Sequence, residues 1–364
     1  MAGISDTFIK AWYNGAWWLG LLLPLSWLFG LVTRHRRRRY LASVKNAASS
    51  SVPVIVVGNI TVGGTGKSPL VAHLVHAFQH MGIKPAVVSR GYGAKIPNDQ
   101  VRQVKIDSQA NEVGDEPMML RHLVSCPIFV APKRCLAVAA AQAEGCELVI
   151  ADDGLQHYAM PRDIEICVLD ATRGLGNEHL LPAGPLREPV SRLKTVDFLC
   201  WNQQDNHAIP PCHLASDNVY RMHMQALYFS SLDGEQRLSV DDFVARFGSQ
   251  HTIQAFAAIG NPERFFSSLE GLGLRHIERH AFPDHHAYRK ENFSSDDSLI
   301  VMTEKDAVKC RQFTLHNAWV LCVEAVLTNA LTEKANSDYA DKFAVRLYNM
   351  LQHSKRLPRS ASGD

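Results

Sequence analysis

Residues 54–75 read VIVVGNITVGGTGKSPLVAHLV. Val54 to Val57 make a continuous apolar run, the pattern of a strand covered on both faces. Gly63, Gly64 and Gly66 then crowd a short loop. From Lys67 onward the apolar period changes, and Leu70, Val71, Leu74, Val75 and Phe78 fall on one helical face. Strand, glycine-rich loop and amphipathic helix together predict a phosphate-binding loop formed by Thr61, Val62, Gly63, Gly64, Thr65, Gly66, Lys67 and Ser68. In such a loop the backbone N–H groups cradle phosphates, the lysine reaches the β- and γ-phosphates, and the serine hydroxyl faces Mg²⁺. The general pattern asks for glycine five residues before Gly66, where this chain has Thr61; Gly63 and Gly64 supply the tight turn instead. An ordinary glycine-rich turn would not require both flanks.

Working outward, short apolar runs alternate with helical stretches: 84–91, 126–131, 146–153, 164–170 and 196–202. That alternation predicts an α/β fold, a P-loop NTPase-like parallel sheet covered by helices, spanning residues 41–218. A second, smaller α/β domain is expected over 241–330, with strands in TIQAFAAIG, SLIVMT and AWVLCVEAVL. Between them, 219–240 reads as two paired strands around an Asp233-Gly234 turn. Residues 331–364 read as a closing helix, with Phe343, Leu347 and Leu351 on one face, and a tail.

A phosphate loop needs an acid at a neighbouring strand end, and CELVIADDGLQH places Asp152 and Asp153 there, able to hold Mg²⁺ directly or through water. Other polar clusters follow predicted strands: SRGYG (89–93), GDEPMML (114–120), APKRCLAV (131–138) and LLPAGPLREP (180–189). The carboxyl ends of parallel strands are where α/β sheets bind ligands, so these loops are candidates for acceptor and phosphate contacts.

Hydrophobic content of 46% and charged content of 20% are those of a globular protein, and a net charge of +2 gives no reason to expect nucleic acid. Without the cluster Arg34, Arg36, Arg37, Arg38 and Arg39, the 38 basic residues would fall below the 36 acidic ones. Eight cysteines without a CxxC pair fit a reducing compartment, the cytoplasm. Residues 1–40 read as a membrane-associated helix: no charge falls between Ala11 and Thr33, Trp17, Trp18 and Trp27 suit an interface, and the arginines follow. The run is close to the ~20 apolar residues needed to span, and Pro24 interrupts it. Both a spanning and a surface-lying helix remain open.

The motifs GNITVGGTGKSP (58–69), SRGYG, GDEP, DDGLQH, PAGPLREP (182–189), FPDHHAY (282–288) and TEKDAVK (303–309) stand in an order that resembles the tetraacyldisaccharide 4'-kinases of lipid A synthesis. Threonine in place of the first loop glycine is usual in that family, and the resemblance covers residues 52–309. It implies transfer of the γ-phosphate of ATP, with Mg²⁺, to the 4'-hydroxyl of an acylated glucosamine disaccharide 1-phosphate, giving lipid IVA. The expected place is the cytoplasmic face of the bacterial inner membrane, with a glycolipid and the membrane surface as partners and no obligate protein partner. By motif, Asp115 becomes the catalytic base, joined by His285 from the second domain. Lys67, Asp152, Arg134 and Arg187 complete the catalytic set, the arginines neutralising the γ-phosphate or the substrate phosphate. Ser68, Asp153 and Glu188 become the Mg²⁺-side residues.

Two other functions compete. A P-loop GTPase or metallochaperone switch would read guanine with an Asn-Lys-x-Asp loop; here the strand is followed by Asn202, Gln203, Gln204 and Asp205, without the lysine. A nucleotide-gated membrane adaptor would need no acceptor. The histidines His276, His280, His285 and His286 lack the spacing of a zinc site.

Overall fold

A computed structural model describes residues 2–44, 51–203, 218–248, 252–284, 286–293, 299–329, 338–354 and 357. In the first half, strands β1 (Val54–Gly58), β2 (Pro85–Ser89), β3 (Arg102–Gln103), β4 (Ile128–Val130), β5 (Leu148–Asp152), β6 (Ile164–Asp170) and β7 (Phe198–Asn202) form a sheet in the order β7-β6-β1-β5-β2-β4-β3. All neighbours in it are parallel except β3, a two-residue edge pairing with β4 that sequence periodicity is too short to announce.

Both faces of β1 are covered, which is why it reads as an unbroken apolar run. Ile55 and Val57 pack under α3 (Lys67–His80) with Leu70, Leu74 and Phe78. Val54 and Val56 face the opposite layer, with Ala137, Val138 and Ala141 of the helix over Arg134–Ala143. On the α3 side lie the short helix α4 (Ala110–Val113) and α5 (Asp115–Leu123); the helix over 134–143 is α6.

The second half is built from β8 (Val219–Ser231), β9 (Arg237–Ser239), α7 (Val240–Phe247), β10 (Ile253–Ala257), α8 (Pro262–Gly271), β11 (Ile277–Ala281), β12 (Leu299–Thr303), α9 (Glu304–Cys310) and β13 (Ala318–Asn329). Residues 219–240 do hold the expected hairpin, with Phe229 opposite Leu238. Yet β8 is also a seam. It runs parallel to β7 through Leu199 and Val219, and antiparallel to β13 through Trp319 and Ser231, so both halves share one 13-stranded sheet. Alternation along β10 again marks two covered faces: Ile253, Ala255 and Ala257 meet Phe266 and Leu269 of α8, while Phe256 and Ala258 meet Met302 and Tyr288.

The closing helix α10 (Asp338–His353) packs across the seam between the halves, where Phe343 stands edge-on to Phe198, 5.4 Å between ring centres, and 4.4 Å from the Tyr220 ring of β8, and Arg346 lies over Phe198.

At the other terminus, α1 (Ala2–Asn14) and α2 (Leu23–Val44) are joined by a 3₁₀ turn over Trp17–Leu22. The stretch Trp17–Tyr40 is apolar and long enough to cross a membrane by length and composition. One side of it is docked. Ser26 Oγ donates to Leu180 O at 2.8 Å, Arg37 donates to Thr195 Oγ1 at 2.8 Å, and Gly30 leaves no room for a Cβ beside Leu180. Trp12 Nε1 donates to Pro182 O at 3.0 Å. The opposite side is bare, with Trp17 84% and Trp27 76% exposed, joined by Leu21, Leu28 and Val32.

Candidate active site

The phosphate loop leaves the carboxyl end of β1 where β5 and β6 flank it. Gly66 is the N-cap of α3 at φ 88°, and Lys67 opens the helix. Lys67 Nζ lies 3.5 Å from Asp153 Oδ1, and Arg187 Nη1 lies 3.0 Å from Asp153 Oδ2. Asp153 sits at φ 50°, a conformation aspartate tolerates better than most side chains. Burial would raise its pKa, but Lys67, Arg187 and Arg134 outweigh that and hold it well below the usual carboxylate range.

Its neighbour behaves in the opposite way. Asp152 ends β5 fully buried, and neither of its oxygens has a hydrogen-bond partner among the described residues. Burial first, then the charges of Glu116 and Asp153, push its pKa up to about 7 against Lys67 and Arg134. Arg134, at the start of α6, is also buried, with Nε and Nη1 unsatisfied; desolvation lowers it to about 10 while Asp153 and Asp152 draw it back up. Orphaned carboxylate oxygens and orphaned guanidinium N–H groups side by side suit a cation and an anion arriving together, as Mg²⁺ and a polyphosphate do. Among the described residues no three His, Cys, Asp or Glu side chains form a metal cage. Mg²⁺ does not ask for one, since it takes one or two carboxylates and fills its octahedron with phosphate and water.

The loop 180–189 is laced to the phosphate loop. Val62 N donates to Pro185 O at 2.9 Å and Arg187 N to Ile60 O at 2.7 Å, which aims the Arg187 side chain at Asp153. Glu188, expected on the metal side, is buried among protein groups. It is 3% exposed; Oε1 accepts from Gln156 Nε2 at 2.8 Å, and Oε2 accepts from the Tyr158 hydroxyl and lies 3.2 Å from Arg192 Nε. Arg192 also reaches Glu165 at 2.5 Å. With both oxygens meeting protein donors, Glu188 ties the Arg187 loop to Gln156, Tyr158 and Arg192.

Asp115 opens α5, and its position depends on Gly114. At φ 97° that residue turns the chain so tightly that a Cβ would stand 2.7 Å from Tyr92 O, seating GDEP against SRGYG. α5 then faces α9 of the second half. Asp115 Oδ2 lies 3.5 Å from Lys309 Nζ, and Lys305 Nζ stands between Glu116 at 3.7 Å and Asp284 at 2.8 Å. His285 lies outside the described residues. Of the other histidines, His280 stacks on Phe256 and His286 on Phe282. Asp306 of TEKDAVK is structural: fully buried, it accepts from Ala258 N at 3.0 Å and from its own N-cap Thr303 at 2.6 Å.

Between the halves lies a cavity of about 220 Å³. Gly64 to Pro69 line one side, and Met119, Met224, Ile259, Phe265 and Val323 give it apolar walls, a lining that suits a nucleoside beside a phosphate loop.

The family model for LpxK, the tetraacyldisaccharide-1-P 4'-kinase, matches residues 18–339. The chain belongs to this family. A tetraacyldisaccharide 4'-kinase of Hahella chejuensis is 42% identical over 353 residues, covering 95% of this chain and 98% of the relative. That of Pseudomonas fluorescens is 45% identical over 327 residues, 89% and 93% of the two chains. The crystal structure of LpxK from Aquifex aeolicus in complex with ATP superposes with a TM-score of 0.74 at 25% identity, covering 91% of this chain and 99% of that one. Membership makes this chain an ATP-dependent kinase that phosphorylates a lipid A precursor, a tetraacyldisaccharide 1-phosphate, at the 4' position.

Within a tetraacyldisaccharide 4'-kinase several residues that sequence reading passed over now have places. Lys305 and Lys309 bridge the halves, and TEKDAVK was visible as a motif without showing which lysine met which acid. Asn202 is not a base reader. Its Nδ2 donates to Thr65 O at 2.9 Å and its Oδ1 accepts from Arg264.

Proposed function

We propose that phosphoryl transfer takes place in the cleft between α5, α9 and the phosphate loop, with Asp115 and His285 acting as one base unit on the 4'-hydroxyl. The observation that carries this reading is the arrangement around that cleft: Lys67, Arg187 and Arg134 surround Asp152 and Asp153, and Asp115 faces Lys309 of the second half. Ser68, Asp153 and Asp152 would hold Mg²⁺, which when bound shields the β- and γ-phosphate oxygens. Lys67 and Arg187 then orient the phosphates, and Arg134 supplies its Nε and Nη1 donors, which no group among the described residues takes up. The tie of Lys305 to Glu116 and Asp284 brings Asp284 toward α5. Asp115→Ala and His285→Ala should each lower kcat by about 10²-fold or more. At saturating ATP the double variant should lose little beyond the worse single one. Multiplicative losses would break the unit, and unchanged kcat would remove it.

The glycolipid reaches this cleft from the cytoplasmic face of the inner membrane. What supports a surface-lying helix over a spanning one is that Ser26, Gly30 and Arg37 share a docked side while Trp17, Leu21, Trp27 and Leu28 share the bare one. Arg34 and Arg36 to Arg39 attract anionic headgroups at about 1 kcal/mol each.

A further inference from the structure

The second half touches the phosphate loop through the segment IGNPERFF, residues 259–266. Gly260 lies backbone to backbone on it, close enough that a Cβ would stand 2.5 Å from Gly64 N. Arg173, which follows β6, donates to Gly260 O. The third contact is a relay of two hydrogen bonds. Arg264, in the first turn of α8, donates to Asn202 Oδ1, and Asn202, 1% exposed at the end of β7, donates to Thr65 O.

The chemistry of the relay leaves it a single orientation. A guanidinium can only donate and a peptide carbonyl can only accept, so the carboxamide of Asn202 must turn its oxygen to Arg264 and its NH₂ to Thr65. Take Arg264 away and the orientation of the amide rests on its single hydrogen bond to Thr65 O, with nothing left to hold Oδ1. The Thr65–Gly66 peptide is planar and trans, so holding its carbonyl on one side fixes the Gly66 N–H on the other. That N–H belongs to the loop's phosphate cradle. Gly66 permits the arrangement because a Cβ there would collide with Asn202 Nδ2.

We propose that Arg264 is a positioning residue: through Asn202 it makes the phosphate-binding shape of the loop depend on the second half being seated. The cavity wall that Arg264 shares with Gly64, Thr65 and Gly66 places bound nucleotide between the two parts so coupled. ATP affinity and domain seating then rise and fall together.

The test uses the full-length kinase with Arg264→Ala, Arg264→Lys, Asn202→Ala, Asn202→Asp and the double alanine variant. The readouts are KM for ATP, kcat, and the melting temperature. Arg264→Ala and Asn202→Ala should each raise KM for ATP tenfold or more, and the double variant should be no worse than the worse single. Arg264→Lys, which keeps a donor for Oδ1, should recover to within about threefold of the parent. Asn202→Asp is the sharpest arm, since it strengthens pairing with Arg264 but cannot donate to Thr65. It should match Asn202→Ala in KM while melting no lower than the parent. The proposal is overturned if the two alanine effects multiply, if Asn202→Asp binds ATP normally, or if the variants lose melting temperature with KM unchanged.

Discussion

Replacing Glu188 by alanine separates a buried anchor from a metal ligand. In the folded kinase the carboxylate is held by Tyr158, Gln156 and Arg192, and Arg192 is itself 1% exposed. Removing one member of a buried ion pair costs about 3–5 kcal/mol because the partner stays behind uncompensated. Arg192 keeps Glu165 at 2.5 Å, which places the loss at the lower end, about 3 kcal/mol. The stranded Tyr158 hydroxyl adds about 1 kcal/mol. For a unit of this size each kcal/mol moves the melting temperature by about 2–4 °C, so Glu188→Ala should melt roughly 8–16 °C lower. Glu188→Gln keeps an acceptor and should lose about half as much. Calorimetric melts, paired with a Mg²⁺ titration of phosphate transfer at a temperature where both variants are folded, make the assay. The midpoint for Mg²⁺ should stay within twofold of the parent. A melting temperature unchanged to within about 1 °C, together with a Mg²⁺ midpoint raised tenfold or more, would refute the reasoning and return Glu188 to the metal.

Lys67→Ala should leave less than a tenth of kcat, a loss above ~1.4 kcal/mol, when assayed at a temperature where the variant is folded; retention of more would contradict the phosphate-loop assignment. Deleting residues 1–44 should abolish binding to anionic vesicles and speed amide exchange over 180–187, because Trp12 and Ser26 hold the carbonyls of Pro182 and Leu180; unchanged exchange would sever the helices from the loop. Burial raises the Glu304 pKa to about 8, so this wall of the cavity is neutral at pH 7. Between the ordinary 4.5 and 8 the folded state keeps a proton that the unfolded chain has lost, so this group's contribution to stability is shed as pH rises through that window. Above pH 8 a carboxylate stands beside the nucleotide and ATP affinity should fall, a limb that Glu304→Gln should flatten; coincident profiles would exclude it.

What was legible depended on how local the signal was. The strand–loop–helix unit at 54–80 is contiguous, so period and glycine spacing reported it directly, and Lys67 and Asp153 meet where those motifs placed them. The partners of Glu188 were not legible, because its neighbour Arg187 faces Asp153 while it faces Arg192, and consecutive residues in a loop carry no rule for which way each points. Asn202 and Arg264 were invisible as a pair because 62 residues separate them in the chain. The seam at β8 was hidden for a related reason: alternation identifies a strand and its covered faces, but not which neighbours pair with its edges.

The central claim is a lipid-sugar kinase whose second half completes the nucleotide site. It is tested most directly by incubating the full-length chain and its Lys67→Ala and Arg264→Ala variants with labelled ATP and tetraacyldisaccharide 1-phosphate in mixed micelles. Mass spectrometry would then locate any added phosphate. The parent should add one phosphate at the 4' position, Lys67→Ala should form less than a tenth as much, and Arg264→Ala should form the same product with its ATP requirement raised tenfold or more. ATP consumed at the same rate with and without the glycolipid, with no phosphorylated product, would contradict the claim.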